Sequence, residues 1–294
     1  MSGEPAPEGA PGPEPFRSGF ATLVGRPNAG KSTLLNAILG TKVSIVSDKP
    51  QTTRTQVRGV LDSPSSQVVF VDTPGIHKPK TAAGERFNAT ARQALDEVDV
   101  VCFVLDATKP LGRGDRFVAD RLPRASTICV VTKIDAAPRR EVLEQLRRAS
   151  ELEFSEYYPV SGTTGAGTSE LVAAVVERLP EGPRYYPEGT VTDVPDAFWV
   201  AELVREQLLA VARQELPHSI ACRVTEWDWP HVKVEVLVER ESQKGIVIGK
   251  GGEVLKRVGT AVRAQLVDGA FLELVVKVEP DWQRRPHSLD RLGL

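Results

Sequence analysis

The stretch Gly25-Arg-Pro-Asn-Ala-Gly-Lys-Ser32 constrains the fold of this chain more than any other feature. It lies between an apolar run, Phe20 to Val24, and a segment with helical apolar spacing, Ser32 to Leu39. A strand, this loop and then a helix is the arrangement that cradles a nucleoside triphosphate. Glycines let backbone N–H groups turn toward phosphate oxygens, and the helix amino end adds favourable partial charge. Lys31 is then expected to reach the β- and γ-phosphates and the Ser32 hydroxyl to bind Mg²⁺. The expected nucleotide loop comprises Gly25, Arg26, Pro27, Asn28, Ala29, Gly30, Lys31, Ser32 and Thr33.

The surrounding sequence supplies the sheet that such a loop needs. Phe20–Val24, Gln67–Val71, Val100–Leu105, Ile128–Val131 and Tyr157–Val160 read as buried strands. Between them Ser32–Leu39, Glu85–Val98, Asp115–Leu122, Arg139–Ser150 and Ser169–Leu179 read as helices. This alternation predicts an α/β domain, a mostly parallel sheet with helices on both faces, binding its ligand at the carboxyl ends of the strands. After Pro180-Glu-Gly-Pro183 the periodicity lapses through Tyr185 to Pro195, which reads as a linker. A different order follows: helix Phe198–Leu216, strands Ser219–Glu226 and His231–Arg240, helix Gln243–Ile248, a glycine loop, helix Glu253–Leu266, strand Phe271–Val278. The expected organisation is a tail over 1–18, a nucleotide domain over 19–180, a linker over 181–196 and a second, α+β domain over 197–294.

Composition excludes several classes. At 294 residues, 41% hydrophobic and 26% charged, the chain suits two soluble domains, and its net charge of -2 gives no global field for nucleic acid. Cys102, Cys129 and Cys222 fit neither a disulfide framework nor a zinc pattern and read as buried thiols of a reducing cytoplasm; His77, His218, His231 and His287 lack ligand spacing. No apolar run approaches the roughly 20 residues of a membrane span. The opening MSGEPAPEGAPGPEPFRS lacks the apolar centre of a signal peptide and reads as a disordered tail.

Three later motifs specify the base. Asp72-Thr73-Pro74-Gly75 ends a strand, where the carboxylate is expected to hold Mg²⁺ and the Gly75 amide to meet the γ-phosphate. Thr132-Lys133-Ile134-Asp135 ends another; an Asp135 carboxylate there accepts both guanine N1–H and N2–H₂, which adenine does not offer. Ser161-Gly162 follows the next strand, with a backbone N–H for guanine O6. Their order points to GTP. Ser47-Asp-Lys-Pro-Gln-Thr-Thr-Arg54 lies where a loop meets the γ-phosphate, and Thr52 and Thr53 are both candidates for a hydroxyl on Mg²⁺, with Thr53 preferred.

The second glycine loop, Ile248-Gly249-Lys250-Gly251-Gly252, separates two expected helices after a strand pair, the order of a KH (type II) module. Close backbone approach is expected there, with Lys250 on phosphate, Ile246 and Ile248 lining a base groove, and Lys256 and Arg257 extending the basic edge. From Ala201 onward fourteen basic residues balance fourteen acidic ones, so binding must be local and its salt dependence modest. A KH-like fold serving as a protein-docking surface is the alternative. Trp282-Gln-Arg-Arg-Pro-His287 reads either as an added RNA contact or as a solvated tail.

The nucleotide motifs resemble the translation-factor class of P-loop GTPases. Together with Gln51–Arg54, the Ile248–Gly252 loop, Leu237–Lys244 and Leu272–Val278 they resemble the Era family of bacterial GTPases, over nearly everything from Phe20 to Trp282. Two departures stand out: Thr132 replaces the usual asparagine, and Ile76 occupies the place of a water-orienting glutamine, so intrinsic hydrolysis is expected to be slow. Lys31, Thr53, Gly75 and Asn28 are the expected catalytic set, with Asn28 resembling the asparagine that holds an activating K⁺ in related GTPases, or else bracing its loop. The resemblance implies a monomeric cytoplasmic GTPase that binds small-subunit rRNA near its 3′ end and assists assembly of the small (30S) ribosomal subunit from its precursor. It also implies peripheral association with the inner membrane, for which the sequence shows no anchor. The competing readings are an RNA-binding scaffold with structural nucleotide and, less favoured, a tRNA-modification GTPase.

Overall fold

The computed structural model describes residues 15–49, 51–76, 81–211 and 219–294. Most of the expected tail, His77, His218 and the end of the helix expected to reach Leu216 lie outside the described residues.

Nine-residue β1, Arg17–Gly25, leads through the first glycine loop into helix α1, Lys31–Leu39. Then follow β2 (Val57–Asp62), β3 (Ser66–Asp72), α2 (Ala82–Asp96), β4 (Val100–Asp106), α3 (Arg113–Ala119), β5 (Thr127–Thr132), α4 (Arg139–Ser150), β6 (Glu156–Pro159) and α5 (Thr168–Arg178). The strands form one sheet in the order β2-β3-β1-β4-β5-β6, parallel except for β2. β3 and β4 are buried along their whole length, as strands covered on both faces must be. Leu23, Leu34, Phe70 and Val104 centre one core face; Phe103, Leu105, Val131 and Phe154 centre the other.

Two expectations change here. β1 begins at Arg17, so the last residues of the expected tail are strand. β2 was not expected: Arg58 and Gly59 interrupt its apolar pattern, and as an antiparallel edge strand it is only partly buried. The 181–196 stretch, in turn, is a fastened strap. Gln67 accepts the N–H groups of Tyr185 (2.8 Å) and Tyr186 (2.9 Å), and the Val60 N–H donates to Val191 O at 2.8 Å.

The second domain runs α6 (Asp196–Val211), β7 (Ala221–Asp228), β8 (His231–Val238), α7 (Glu241–Ile248), a 3₁₀ turn at Lys250–Gly252, α8 (Glu253–Arg263) and β9 (Phe271–Val278). β8 pairs antiparallel with β7 and parallel with β9. The parallel pair needs a crossover, which α7 and α8 supply. Alternate β8 residues, Val232, Val234, Val236 and Val238, face the helices and form this domain's core with Leu203, Leu208, Val258 and Val262.

The C-terminal segment is no solvated tail. Trp282 is 1% exposed, donates from Nε1 to Ser219 O at 3.0 Å, and precedes a short helix, α9 (Pro286–Arg291). Trp282, Leu289 and Leu292 pack with Ala83 and Phe87 of α2 and with Ala221 and Leu237 of the second sheet. Burial disfavours this as an RNA-contacting stretch at Trp282 and makes it the wedge between the two domains.

Candidate functional site

The first glycine loop joins the carboxyl end of β1 to α1, with β3, β4 and β5 ending beside it. Lys31 is buried and its Nζ reaches back over the loop to Arg26 O (3.2 Å) and Gly25 O (3.4 Å). Asp72 is fully buried. Its Oδ2 accepts from Ser32 Oγ (2.7 Å), Ser44 Oγ (2.8 Å) and Thr53 Oγ1 (3.4 Å), while the buried Oδ1 has no hydrogen-bond partner. Burial raises the Asp72 pKa against the pull of Lys31 and the hydroxyls; burial likewise lowers that of Lys31, with Asp72 opposing.

Ser32 Oγ and Thr53 Oγ1 lie 3.0 Å apart. Of the two candidate threonines, Thr53 thus joins the cluster, whereas the Thr52 hydroxyl donates to Lys49 O at 2.7 Å. The set is all hard oxygen, with one buried carboxylate oxygen unsatisfied, which fits Mg²⁺. Ser44 gives no signal in the sequence. A lone serine after a short turn is indistinguishable from loop filling until the fold brings it to Asp72.

Gly75 lies hard against the phosphate loop, since a Cβ there would come within 2.7 Å of the Pro27 nitrogen. Thr73 anchors the same turn by donating to Leu23 O at 3.2 Å, and Pro74 is buried beside it. Ile76 is buried with Val24, Phe103 and Leu105, so its side chain is core. Asn28 has a positive φ of 64° and donates from Nδ2 to Asp48 O at 2.6 Å, tying the phosphate loop to the Ser47–Arg54 segment.

At the base-specifying end, the Thr132 hydroxyl lies 2.6 Å from Ala29 O and 2.9 Å from Leu105 O. It carries one proton for two carbonyls, where an asparagine amide would bring two. Lys133 Nζ crosses to Asn28 O and Asp106 Oδ2, both at 2.8 Å. Burial tends to raise the Asp106 pKa, but hydrogen bonds from Lys133 and Thr108 win and hold it below the usual carboxylate value. Ser161 Oγ donates to Asp135 Oδ1 at 2.6 Å and so aims the exposed carboxylate. The Ser161 N–H is spent on Ala166 O at 2.8 Å, and Gly162 packs against the first turn of α1. Arg26, Ala29 and Thr33 complete the loop; Arg26 pairs with Asp115 at 3.2 Å.

The second glycine loop lies between α7 and α8. Gly251 (φ 61°) and Gly252 (φ 81°) adopt left-handed conformations with nothing within 4 Å of a would-be Cβ, so a backbone can approach there. Ile246 is 58% exposed and Ile248 half-buried at the edge of the core. Lys250, Lys256 and Arg257 are exposed, and among the described residues none of the three makes an ion pair.

Among the described residues no cluster of His, Cys, Asp and Glu could hold a metal ion through three such side chains, and no helix is long and apolar enough to cross a membrane. Burial pushes the Cys102 and Cys222 thiols up to about 12, the behaviour of inert packing groups.

Residues 20–133 match the 50S ribosome-binding GTPase family and residues 215–283 match the KH domain. GTPase Era of Carboxydothermus hydrogenoformans is 45% identical over 95% of this chain and 98% of its own length. GTPase Era of Mycobacterium avium is 45% identical over 95% of this chain and 99% of its own. A crystal structure of Era in complex with MgGDPNP and nucleotides 1506–1542 of 16S ribosomal RNA matches with a TM-score of 0.89 and 39% identity, covering 95% of this chain and 99% of that one. A variant of Aquifex aeolicus Era bound to GDP·AlF4⁻ matches with a TM-score of 0.88, 39% identity and the same coverage. With a P-loop domain and a KH domain in this order and likeness over nearly its whole length, the chain belongs to the Era family of GTPases.

Proposed function

We propose that this GTPase is a switch whose nucleotide state sets the grip of its KH domain on the 3′ region of small-subunit rRNA, and that it thereby assists small-subunit assembly. The observation that carries the reading is that one loop serves both sites. Thr53 stands beside Ser32 and Asp72, while its neighbours are held by the second domain: Thr52 O accepts from Arg205, Arg54 donates to Ile220 O at 2.6 Å, and the Val46 N–H donates to Glu206 at 2.9 Å. The relative crystallised with MgGDPNP and 16S rRNA nucleotides supports the choice of RNA.

In this mechanism the Gly25–Thr33 loop binds the phosphates through its backbone amides, and Lys31 neutralises their charge. Ser32, Thr53 and Asp72 would hold Mg²⁺, which when bound would supply positive charge against the phosphates. Thr53 already stands with Ser32 and Asp72, so a bound γ-phosphate and Mg²⁺ would hold the Thr52–Arg54 stretch where it lies, and loss of the γ-phosphate would release it. Gly75 lies on the phosphate side of its turn for the same purpose. With Ile76 in the core, no side chain at that position orients the attacking water, and intrinsic turnover is slow. Asn28 uses its amide nitrogen to brace Asp48, which leaves its oxygen as the group for a K⁺ ion. Asp135, aimed by Ser161, takes guanine; Lys133, which spans Asn28 O and Asp106, would stack its stem against the base.

On the KH side, Gly249–Gly252 and Lys250 take the RNA backbone, Ile246 and Ile248 the bases, and Lys256 and Arg257 the flanking phosphates. The proposed setting is a monomer in the cytoplasm acting on precursor 30S particles, with any membrane association peripheral. Affinity for single-stranded rRNA 3′ sequence and for precursor particles, measured with GDP and with a non-hydrolysable GTP analogue, tests the reading. The analogue should tighten one or both; equal affinities in both assays would refute the coupling.

A further inference from the structure

Three of the four tryptophans line a single cleft in the KH domain. Trp199 comes from α6, Trp227 from the end of β7, Trp229 from the turn that follows it, and Leu266 and Val267 close the side beyond α8. Trp227 and Trp229 are 41% and 43% exposed and Val267 is 76% exposed. The two indole centroids lie 5.9 Å apart with a 32° tilt. Neither indole stabilises the fold by full burial, and a contiguous exposed apolar surface of this kind marks a binding site.

The charge around the cleft selects the occupant. Asp196 lines it, Asp228 stands between Trp227 and Trp229 in sequence, and Asp268 follows Val267; all three are exposed. Among the described residues no lysine or arginine lines it, and Lys42, which donates to the lining Gln265 at 2.7 Å, is paired with Glu206. Indole faces carry negative electrostatic potential and attract cations, arginine most of all because its planar guanidinium also stacks. A nucleic-acid backbone would meet no cation in the lining itself, whereas the unpaired Lys250, Lys256 and Arg257 cluster at the glycine loop and the opening of α8. We propose that this cleft binds a basic polypeptide segment of a protein partner, seating an arginine or lysine side chain against the tryptophans with Asp196 as its counter-charge, while the glycine loop stays open for RNA.

The test is a titration of the full-length protein with a synthetic peptide of alternating arginine and glycine, followed by tryptophan emission. A saturable change is expected. Trp229→Ala should weaken it by about tenfold or more, and Asp196→Asn by about fivefold, the size of one well-placed ion pair. GTP turnover and thermal unfolding should stay at wild-type values in both variants, because neither residue is buried or part of the nucleotide site. An equal response in wild type and in both variants would overturn the proposal. So would a single-stranded oligouridylate that perturbs the emission through Trp229 when the peptide does not, since that would make the cleft a base-stacking platform.

Discussion

Arg205 of α6 donates through its guanidinium to the backbone carbonyl of Thr52, the residue beside Thr53 in the Ser47–Arg54 loop. The guanidinium is 2% exposed and also pairs with Glu202 at 2.6 Å. Arg54 extends from the same loop to Ile220 O and lies 5.6 Å over the Trp282 ring. Burial and the neighbouring Arg205 charge push the Arg54 pKa down to about 9, with Glu202 opposing. Two like charges share this buried space only while Glu202 and the loop carbonyls hold their places. Movement of the loop therefore has to move α6, or break its contacts.

Arg205→Gln is expected to separate the two domains' behaviour. It removes the charge and shortens the reach to Thr52 O while leaving Glu202 without its partner, so stability should fall by about 3 kcal/mol. At temperatures where the variant is still folded, the ratio of RNA affinities with GTP analogue and with GDP should approach one. Denaturant melts and RNA binding with the two nucleotides, on the same preparation, check both parts. A wild-type ratio would show that the coupling runs elsewhere.

The nucleotide loop was legible because its chemistry is local. Gly25–Ser32, Asp72–Gly75 and Thr132–Asp135 each lie in one contiguous stretch after an apolar strand, and periodicity alone placed those strands. Ser44, Arg205 and Glu206 were not legible, since each acts through a partner far along the chain: Ser44 on Asp72, Arg205 on Thr52, Glu206 on Lys42 at 2.5 Å. Nothing in a helix pattern distinguishes a buried arginine that grips another domain from a solvated one. Trp282 failed for the opposite reason. Its polar neighbours Gln283, Arg284 and Arg285 looked like a tail, and only tertiary contact with α2 and Ser219 buries it.

Thr132→Asn should tighten nucleotide binding without changing its base preference. The threonine hydroxyl has one proton for Ala29 O and Leu105 O, and a second amide donor would brace both carbonyls. One added hydrogen bond contributes about 0.5–1.5 kcal/mol, or roughly a two- to tenfold slower GDP release. Discrimination against ATP should be unaltered, because Asp135 and its Ser161 contact are untouched. Release of a fluorescent GDP analogue and ATP competition measure the two effects separately.

Lys250→Ala addresses the proposed RNA grip. Lys250 is exposed at the tip of the glycine loop, so its loss should leave the thermal midpoint unchanged. Affinity for single-stranded RNA should fall to a similar extent for different sequences, and the slope of log affinity against log salt should flatten by about 0.7, the contribution of one phosphate contact on a single strand. Fluorescence anisotropy over a salt series reads the slope directly. A change confined to one sequence would mean that Lys250 reads a base instead.

Glu235 sits in the central strand of the second sheet and joins all three strands. Its Oε1 accepts from Arg223 of β7 at 2.7 and 2.9 Å, and its Oε2 pairs with Lys277 of β9. Burial works to raise its pKa, but the Lys277 and Arg223 hydrogen bonds prevail and hold it below the ordinary value of 4.5. A carboxylate depressed on folding stabilises the folded state fully above its unfolded pKa. That contribution is lost as pH falls through the folded value, where the native state too takes up the proton. KH-domain unfolding should therefore be nearly independent of this residue's titration from about pH 8 to 6 and grow steeply easier below about pH 4.5. Glu235→Gln keeps an acceptor but no charge, so it should be less stable near neutrality and lose less on acidification. Denaturant midpoints of both proteins at a series of pH values, converging toward the acid end, are the expected outcome; parallel curves would mean that the bridge across the three strands contributes no pH-dependent stability.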